Sequence, residues 1–163
     1  FLFIRDPIAL IKTITAFTIS HSITLALSVL ELVKLDQGPT EAVIALSIFF
    51  LARELVMEEG QRSRLTLGRP WVMAFVFGLL HGLGFAGALA DIGLPKDDLW
   101  LSLLLFNVGI EVGQVAVIIA LAGIAWILTK IGWRNRFYTV AAWSMGSLAT
   151  FWTLDRTALL VGL

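Results

Sequence analysis

Three side chains of the kinds that bind metal ions or protons lie inside long apolar segments of this chain. Two are histidines, His21 and His81, and the third is the carboxylate Glu111. Such groups are costly in hydrocarbon, so inside a membrane they face protein or a polar path and need partners. Imidazole nitrogen and carboxylate oxygen together suit nickel, zinc, copper or iron(II) among the divalent ions. We therefore predict a metal site formed by these three residues, with Glu54 as a fourth candidate ligand.

Two amides accompany Glu111 on its segment. Asn107 lies four residues before it and Gln114 three residues after it, a spacing that places all three on one stripe of a helix. A carboxylate between two amides near the middle of an apolar helix favours a functional site or a hydrogen-bonded polar network. We predict that Asn107 and Gln114 line the same path as Glu111.

Hydroxyl groups accompany His21 in a similar way. Thr18 and Thr24 share its helix face, and Ser22 follows it directly. These hydroxyls either line a polar path or bond back to carbonyls of their own helix. His21 itself either binds a ligand or joins two helices by a hydrogen bond, and the sequence leaves these interpretations open.

Another apolar segment carries Ser47 and Glu54 on one face, with Glu41 near its start. We predict that Glu41 and Ser47 contribute to the polar path. Two simpler interpretations stay open. Glu41 is also the kind of acid that a helix dipole favours in a first turn. Glu54 is close in sequence to Arg53 and Arg62, with which it can form a surface salt bridge.

Glycines surround His81 and Glu111, and Asp91 follows His81 by ten residues, near the predicted outer mouth of the path. Glycines spaced four apart let two helix backbones approach closely. A glycine-lined gap also leaves an imidazole accessible to an ion or a water molecule. The glycines to which we assign helix packing are Gly78, Gly82, Gly84, Gly109 and Gly113.

The amino-acid composition indicates the class of protein that positions these groups. The chain has 163 residues, of which 58% are hydrophobic and 15% charged, with a mean hydropathy of +0.90. Soluble domains carry about 25% charged residues, and disordered chains need low hydrophobicity. Zero net charge argues against a nucleic-acid partner, and the lack of cysteine excludes disulfides and thiol chemistry. A membrane protein remains.

The apolar segments predict an all-α fold, a polytopic transmembrane helical bundle that forms one domain over residues 1–163. A spanning helix needs about 20 mostly apolar residues. Five segments meet this requirement, at about 7–33, 40–57, 71–94, 99–128 and 137–160. The chain opens on four apolar residues that resemble the end of another such segment, so we expect six or more spans in the full protein.

Basic residues fix the predicted orientation. The chain start and the loops 58–70 and 129–136 carry eight lysines and arginines, whereas the opposite side carries three. The side richer in lysine and arginine faces the cytoplasm. We therefore predict a protein of a bacterial-type inner (cytoplasmic) membrane, with the chain start and both loops in the cytoplasm and the C-terminus outside.

Four segments, in the same order and over nearly the whole chain, resemble the HupE/UreJ-type membrane proteins, which are accessory proteins of hydrogenase and urease. Residues 15–25 (TAFTISHSITL) are similar to the family's TAFTxxHSxTL. The other similar segments are 41–48 (EAVIALSI), 77–86 (FGLLHGLGFA) and 106–114 (FNVGIEVGQ). Together these segments contain both histidines and Glu111.

The resemblance implies a nickel permease, since members that accompany hydrogenases and ureases are regarded as transporters of the nickel that both enzymes need. It implies a divalent metal ion, nickel foremost, as the bound species. Two features depart from the family. Leu55 follows Glu54 where the family has Asn, and the family's upstream helix with further His and Asp residues precedes the point where this sequence begins.

Two other functions stay open. In a structural subunit of a larger membrane complex, the polar side chains only form hydrogen bonds between helices, and the glycines pack against neighbours. In an intramembrane metal-dependent hydrolase, a bound metal would activate water. The chain has no nucleophile–base triad, phosphate loop or nucleotide motif, so we favour no enzymatic role. The predicted partners are the lipid bilayer, a metal ion and, for the structural role, other membrane subunits.

Overall fold

The computed structural model describes residues 4, 6–57, 61–92 and 98–160, without the side chains of residues 64, 86, 88, 90–92 and 134. The described residues form six α-helices and no strand: α1 Pro7–Val29, α2 Gln37–Val56, α3 Arg64–Gly68, α4 Pro70–Ile92, α5 Leu99–Lys130 and α6 Arg134–Leu160. The predicted all-α fold class is therefore confirmed.

Capping residues account for where two of the helices begin. The Asp6 carboxylate accepts hydrogen bonds from the backbone N–H groups of Ile8 (3.2 Å) and Ala9 (3.1 Å), and a proline occupies the first turn of α1. The Ser63 hydroxyl accepts from the N–H of Leu65 at 3.2 Å and caps α3. The sequence does not predict α3, because five residues inside a charged loop show no helical period.

Positive backbone φ angles mark the ends of two helices. α1 ends at Val29 rather than near residue 33, because Glu31 adopts a φ of 57° and turns the chain. α5 continues to Lys130, and Gly132 follows it at a φ of 74°. α2 and α6 each begin three residues earlier than the sequence predicts. The predicted spans and the observed helices thus agree in order and differ by a few residues at their ends.

Two helix pairs make up most of the packing. α1 packs along α4 and α2 along α6, while α2 also contacts α4, α3 contacts α4, and α5 contacts α1 and α6. An ion pair between Glu41, near the start of α2, and Arg156, near the end of α6, shows that these two helices run antiparallel. A small apolar core of Leu25, Leu89 and Leu103 joins α1, α4 and α5.

The interior is rich in polar groups and the exterior is apolar. The buried polar side chains are Thr18, Ser20, His21, Thr24, Thr40, Ser47, Glu54, Thr66 and Asn107. Large apolar side chains of α5, such as Leu104, Val112 and Ile119, are exposed. Soluble proteins show the opposite preference, so this distribution suits a lipid environment. Among the described residues, α1 and α5 are long and apolar enough to cross a membrane, and α4 contains the shorter apolar stretch Pro70–Phe85.

Candidate functional site

Glycines bring α1 and α4 into close contact. A methyl group at Gly78 would overlap the Ser20 hydroxyl, and one at Gly82 would overlap the Thr24 hydroxyl. The two backbones therefore approach as closely as only glycine permits. His81 directly precedes Gly82, and the close approach places its imidazole in contact with α1.

Both histidines lie against the ring of Phe17. The His21 ring stacks on it with centroids 5.9 Å apart, and the His81 ring meets it edge-on at 5.5 Å. Phe85 also contacts His21 edge-on, at 5.6 Å. Sequence reasoning missed Phe17, although it lies four residues before His21, where a side chain of the same helix face can reach the imidazole. We call Phe17, His21 and His81 the histidine centre.

His21 is buried without a hydrogen-bond partner in the part of the chain that the structure describes. It is 1% exposed, and neither Nδ1 nor Nε2 has a partner. The Thr18 hydroxyl, one turn earlier on α1, is also buried without one. Buried polar groups are hydrogen-bonded in the great majority of native structures, so unpaired ones point to a water, an ion or another ligand. A neutral imidazole offers one nitrogen lone pair to a metal.

Hydrogen bonds orient His81. Its Nε2 lies 3.2 Å from the Ser47 hydroxyl of α2, and that hydroxyl lies 2.6 Å from the carbonyl oxygen of Ile44. A hydroxyl has one proton, and donating it to the carbonyl makes Ser47 the acceptor from Nε2–H. In the neutral imidazole this assigns Nδ1 as the nitrogen with the lone pair. Helix α2 thereby sets which nitrogen of His81 is available to a metal.

His81 and Ser47 line a cavity of about 300 Å³, which we call the His81 cavity. It extends past Leu55 on α2 to Thr66 on α3 and Pro70 at the start of α4. Eight residues separate Ser47 from Leu55, which corresponds to about 12 Å along a helix. Thr66 is 5% exposed, and its hydroxyl has no partner among the described residues. The cavity thus has polar groups near both ends and mostly apolar walls.

A groove of about 390 Å³ lies between α1, α4 and α5. Gln114 of α5 lines this groove, and its side-chain oxygen is buried without a described partner. Thr13, Phe17 and Ala74 line both the groove and the His81 cavity. These three residues therefore form the partition between the two spaces, and Phe17 is its bulkiest member.

The structure does not bring Glu111 to the histidine centre. Glu111 is half-buried on α5, and the described residues contain no group of three or more His, Asp or Glu side chains close enough to hold one metal ion. Asn107 donates from its amide nitrogen to the Leu103 carbonyl at 2.8 Å, while its amide oxygen has no described partner. The structure thus places both histidines against Phe17, and a metal site formed by the histidines and Glu111 stays a prediction.

Glu54 binds the loop that leads to α3. It is 1% exposed, and its Oε2 accepts a hydrogen bond from the backbone N–H of Ser63 at 2.8 Å. The Arg53 guanidinium approaches its Oε1 at 3.7 Å. Seven residues separate Glu54 from Ser47, so it lies about 10 Å further along α2 than the contact with His81. Glu54 is therefore a buried carboxylate that has a backbone partner and also forms the ion pair with Arg53 that the sequence left open.

Glu41 joins two helices near the opposite end of α2. Its Oε2 lies 2.6 Å from Nε of Arg156 on α6. Arg156 also contacts its neighbour Asp155, at the longer distance of 3.8 Å. Glu41 therefore bridges α2 and α6, and its contribution to a polar path stays a prediction. Asp91 lies on α4, and its side chain is outside the described residues.

The hydroxyls beside His21 differ in what they bind. The Ser22 hydroxyl donates to the Thr18 carbonyl at 2.7 Å, and the Thr24 hydroxyl lies 3.2 Å from the carbonyl of Ser20. Both bonds lie within α1, which is one of the two interpretations that the sequence left open. Thr18 differs because its hydroxyl is unpaired among the described residues, so it is available to a ligand beside His21.

The remaining glycines fall into two groups. Gly84 faces α2, where a methyl group would overlap the Ile44 side chain, and Gly87 likewise faces Gln37. Gly109 and Gly113 have no described atom of another residue within 4 Å of an added methyl group, apart from neighbours on α5 itself. The expected packing role of this second pair is therefore not met within the described chain, and Gly113 instead lines the groove between α1, α4 and α5.

The chain is similar to one known protein family. No curated protein and no solved structure matches the chain significantly. A family model described as HupE / UreJ protein matches residues 1–156, a range that includes the histidine centre and the His81 cavity. Because this match covers nearly the whole length, the chain belongs to the HupE/UreJ family.

Proposed function

We propose that this member of the HupE/UreJ family passes a divalent transition-metal ion, nickel foremost, along a polar path through a membrane helix bundle. The observation that carries the proposal is the histidine centre, where imidazoles from α1 and α4 meet around Phe17 and His21 has no described hydrogen-bond partner. Imidazole nitrogen suits nickel among the divalent metals. Two imidazoles bind an ion less tightly than a complete coordination shell, and moderate affinity lets an ion both enter and leave.

The proposed bundle has five spans, formed by α1, α2, α4, α5 and α6. The shortest of them, α2, has 20 residues, and a helix of this length extends about 30 Å, the thickness of the hydrocarbon core. α3 then lies in the loop between α2 and α4. The arginine-rich loops lie on the cytoplasmic side of a bacterial-type inner membrane, and the exposed apolar side chains of α5 support contact with lipid.

The proposed path leads from the groove at Gln114, past Phe17, to the histidine centre and the His81 cavity. Ser47 supplies a polar group beside the imidazole of His81, and Thr66 lies at the far end of the cavity. Apolar constrictions restrict flow by excluding water, and Phe17 has this position in the partition between the two spaces. An ion that passes this ring exchanges water for imidazole, which favours metals that bind nitrogen.

Nickel uptake into proteoliposomes that contain the purified full-length protein tests the proposal. His21→Ala and His81→Ala each remove one imidazole and should lower the uptake rate at least about tenfold, as the loss of metal-site groups commonly does. Thr157→Val is the matched control, because it removes a hydroxyl of α6 that bonds to the backbone of its own helix. Wild-type uptake by both histidine variants would overturn the proposal.

A structural role in a larger membrane complex is the second candidate, and the open face of α5 favours it. Gly109 and Gly113 leave room there for a helix of another subunit. Under this function the histidines only pack, so the same uptake measurement separates the two candidates. No comparable observation favours the intramembrane hydrolase, because the described residues place no third ligand beside the two histidines.

A further inference from the structure

The short helix α3 forms the far end of the His81 cavity. Thr66 lines the cavity there, and its buried hydroxyl has no partner among the described residues. A buried hydroxyl of this kind points to a water molecule or an ion that completes its hydrogen bonds. The position of α3 therefore decides whether this end of the cavity is closed and whether Thr66 lines it.

Glu54 and its neighbours fix α3 in this position. The Glu54 carboxylate accepts from the N–H of Ser63 at 2.8 Å, and Ser63 in turn caps α3 through the N–H of Leu65 at 3.2 Å. The Arg62 side chain donates to the carbonyls of Glu54 (3.1 Å) and Met57 (3.0 Å) at the end of α2. Residues 62–65 thus connect the start of α3 to the end of α2 through both side chains and backbone.

The charge of Glu54 makes its contact with Ser63 strong. Glu54 is almost completely buried, whereas the Arg53 guanidinium is half exposed and approaches only to 3.7 Å. Because this described counter-ion is distant and exposed to solvent, the buried carboxylate depends chiefly on its hydrogen bonds. Moving α3 away would leave Oε2 without its described donor, and the cost of that unsatisfied oxygen resists the movement.

We propose that Glu54 is a positioning residue that holds Thr66 across the end of the His81 cavity, and that breaking the Glu54–Ser63 hydrogen bond opens this end to water. The proposal rests on the metal path proposed above, in which Thr66 becomes the last polar contact of a hydrated divalent ion. It gives Glu54 a role different from the direct ligand that the sequence predicts.

The 163-residue sequence contains no cysteine, so labelling of the unsubstituted full-length protein supplies the background for single cysteine substitutions. The full-length protein in proteoliposomes is treated with a membrane-impermeant maleimide, and the labelling rate of Thr66→Cys is measured with and without Glu54→Ala. Glu54→Ala should raise this rate about tenfold or more. The labelling rate follows the population of the opened state, and the loss of one hydrogen bond to a charged group raises that population by about this factor. Glu54→Gln keeps an acceptor and should raise the rate less.

Two matched positions separate local opening from general unfolding. Leu67 follows Thr66 on α3 and is 47% exposed. Leu67→Cys should therefore react fast with the maleimide, with or without Glu54. Ser20→Cys is buried at the crossing of α1 and α4 and should stay slow in both backgrounds. Equal labelling of Thr66→Cys in both backgrounds, or a parallel rise at Ser20→Cys, would overturn the proposal.

Nickel uptake separates this proposal from the function on which it rests. A maleimide on Thr66→Cys fills the end of the cavity and should block uptake, whereas the same label on Leu67→Cys should leave most of it. If nickel uptake persists after Thr66→Cys has been labelled, the metal path does not pass α3. Absence of uptake by the unsubstituted protein would overturn the metal path, and the labelling rates would still decide the role of Glu54.

Discussion

Two pairs of glycines with the same spacing lie in opposite surroundings. Gly78 and Gly82 of α4 face α1 with no room for a methyl group, whereas Gly109 and Gly113 of α5 face open space. The packed pair adjoins the histidine centre, and the open pair adjoins a half-buried carboxylate that reaches neither histidine in any described contact. A four-residue spacing of glycines therefore does not by itself indicate a site. The polar group beside such a pair finds a partner only where a second helix packs against the glycines.

Adding a methyl group to each pair should show the largest difference. Gly82→Ala places a carbon against the backbone and the Thr24 hydroxyl of α1, and such overpacking costs about 1–3 kcal/mol of the free energy of unfolding. Nickel uptake should fall as well, because separation of α1 and α4 moves His81 away from Phe17. Chemical unfolding in detergent and the uptake rate measure the two effects.

Gly109→Ala is the matched change on the open pair. It should leave the free energy of unfolding unchanged or raise it by up to about 1 kcal/mol, because alanine favours a helix more than glycine does. If both alanine variants lose the same stability, the contrast between the two pairs is wrong, and the open face of α5 is covered in the assembled protein.

The carboxylate beside the open pair should affect metal handling less than the packed imidazole does. Glu111→Gln preserves size and removes the charge, and we expect the nickel uptake rate to fall far less than the about tenfold loss expected for the histidine variants. Initial uptake rates at equal protein density measure the difference. A loss as large as that of His81→Ala would support the prediction that Glu111 is a ligand and would mean that α5 approaches the histidine centre during transport.

The ion pair between α2 and α6 should have the smallest effect. Glu41 and Arg156 are both partly exposed, and pairs of this kind contribute about 0.2–1 kcal/mol. Glu41→Gln should lower the free energy of unfolding by no more than this amount. The difference from wild type should shrink at about 1 M salt, where the screening length is about 3 Å, and an undiminished difference would place the pair in a more buried setting.

The residues of the histidine centre could largely be predicted from the sequence. His21 and His81 stand out because they interrupt apolar segments, and the glycines around His81 indicate a close neighbouring helix. The start of α1 also follows from a local signal, the capping residue Asp6. Each of these inferences depends on spacing along a single helix, which the sequence contains in full.

The partners across helices could not be predicted in the same way. Glu54 binds a backbone N–H, and a backbone donor leaves no trace in the pattern of side-chain types. α3 is too short to show a helical period, so no sequence pattern indicates that Thr66 lines a cavity. The distance between Glu111 and the histidines depends on how α5 docks against α1, and the predicted helices admit several such arrangements.

The described residues place no carboxylate with the two histidines. On the proposed path the side chains that bind the ion stay in place, so a divalent ion that moves alone carries both of its charges across the membrane. Each elementary charge gains about 2.3 kcal/mol per 100 mV of membrane potential, so a double charge gains about 4.6 kcal/mol per 100 mV. Under the proposed function such transport is electrogenic, and a potential that is negative inside favours inward movement of nickel.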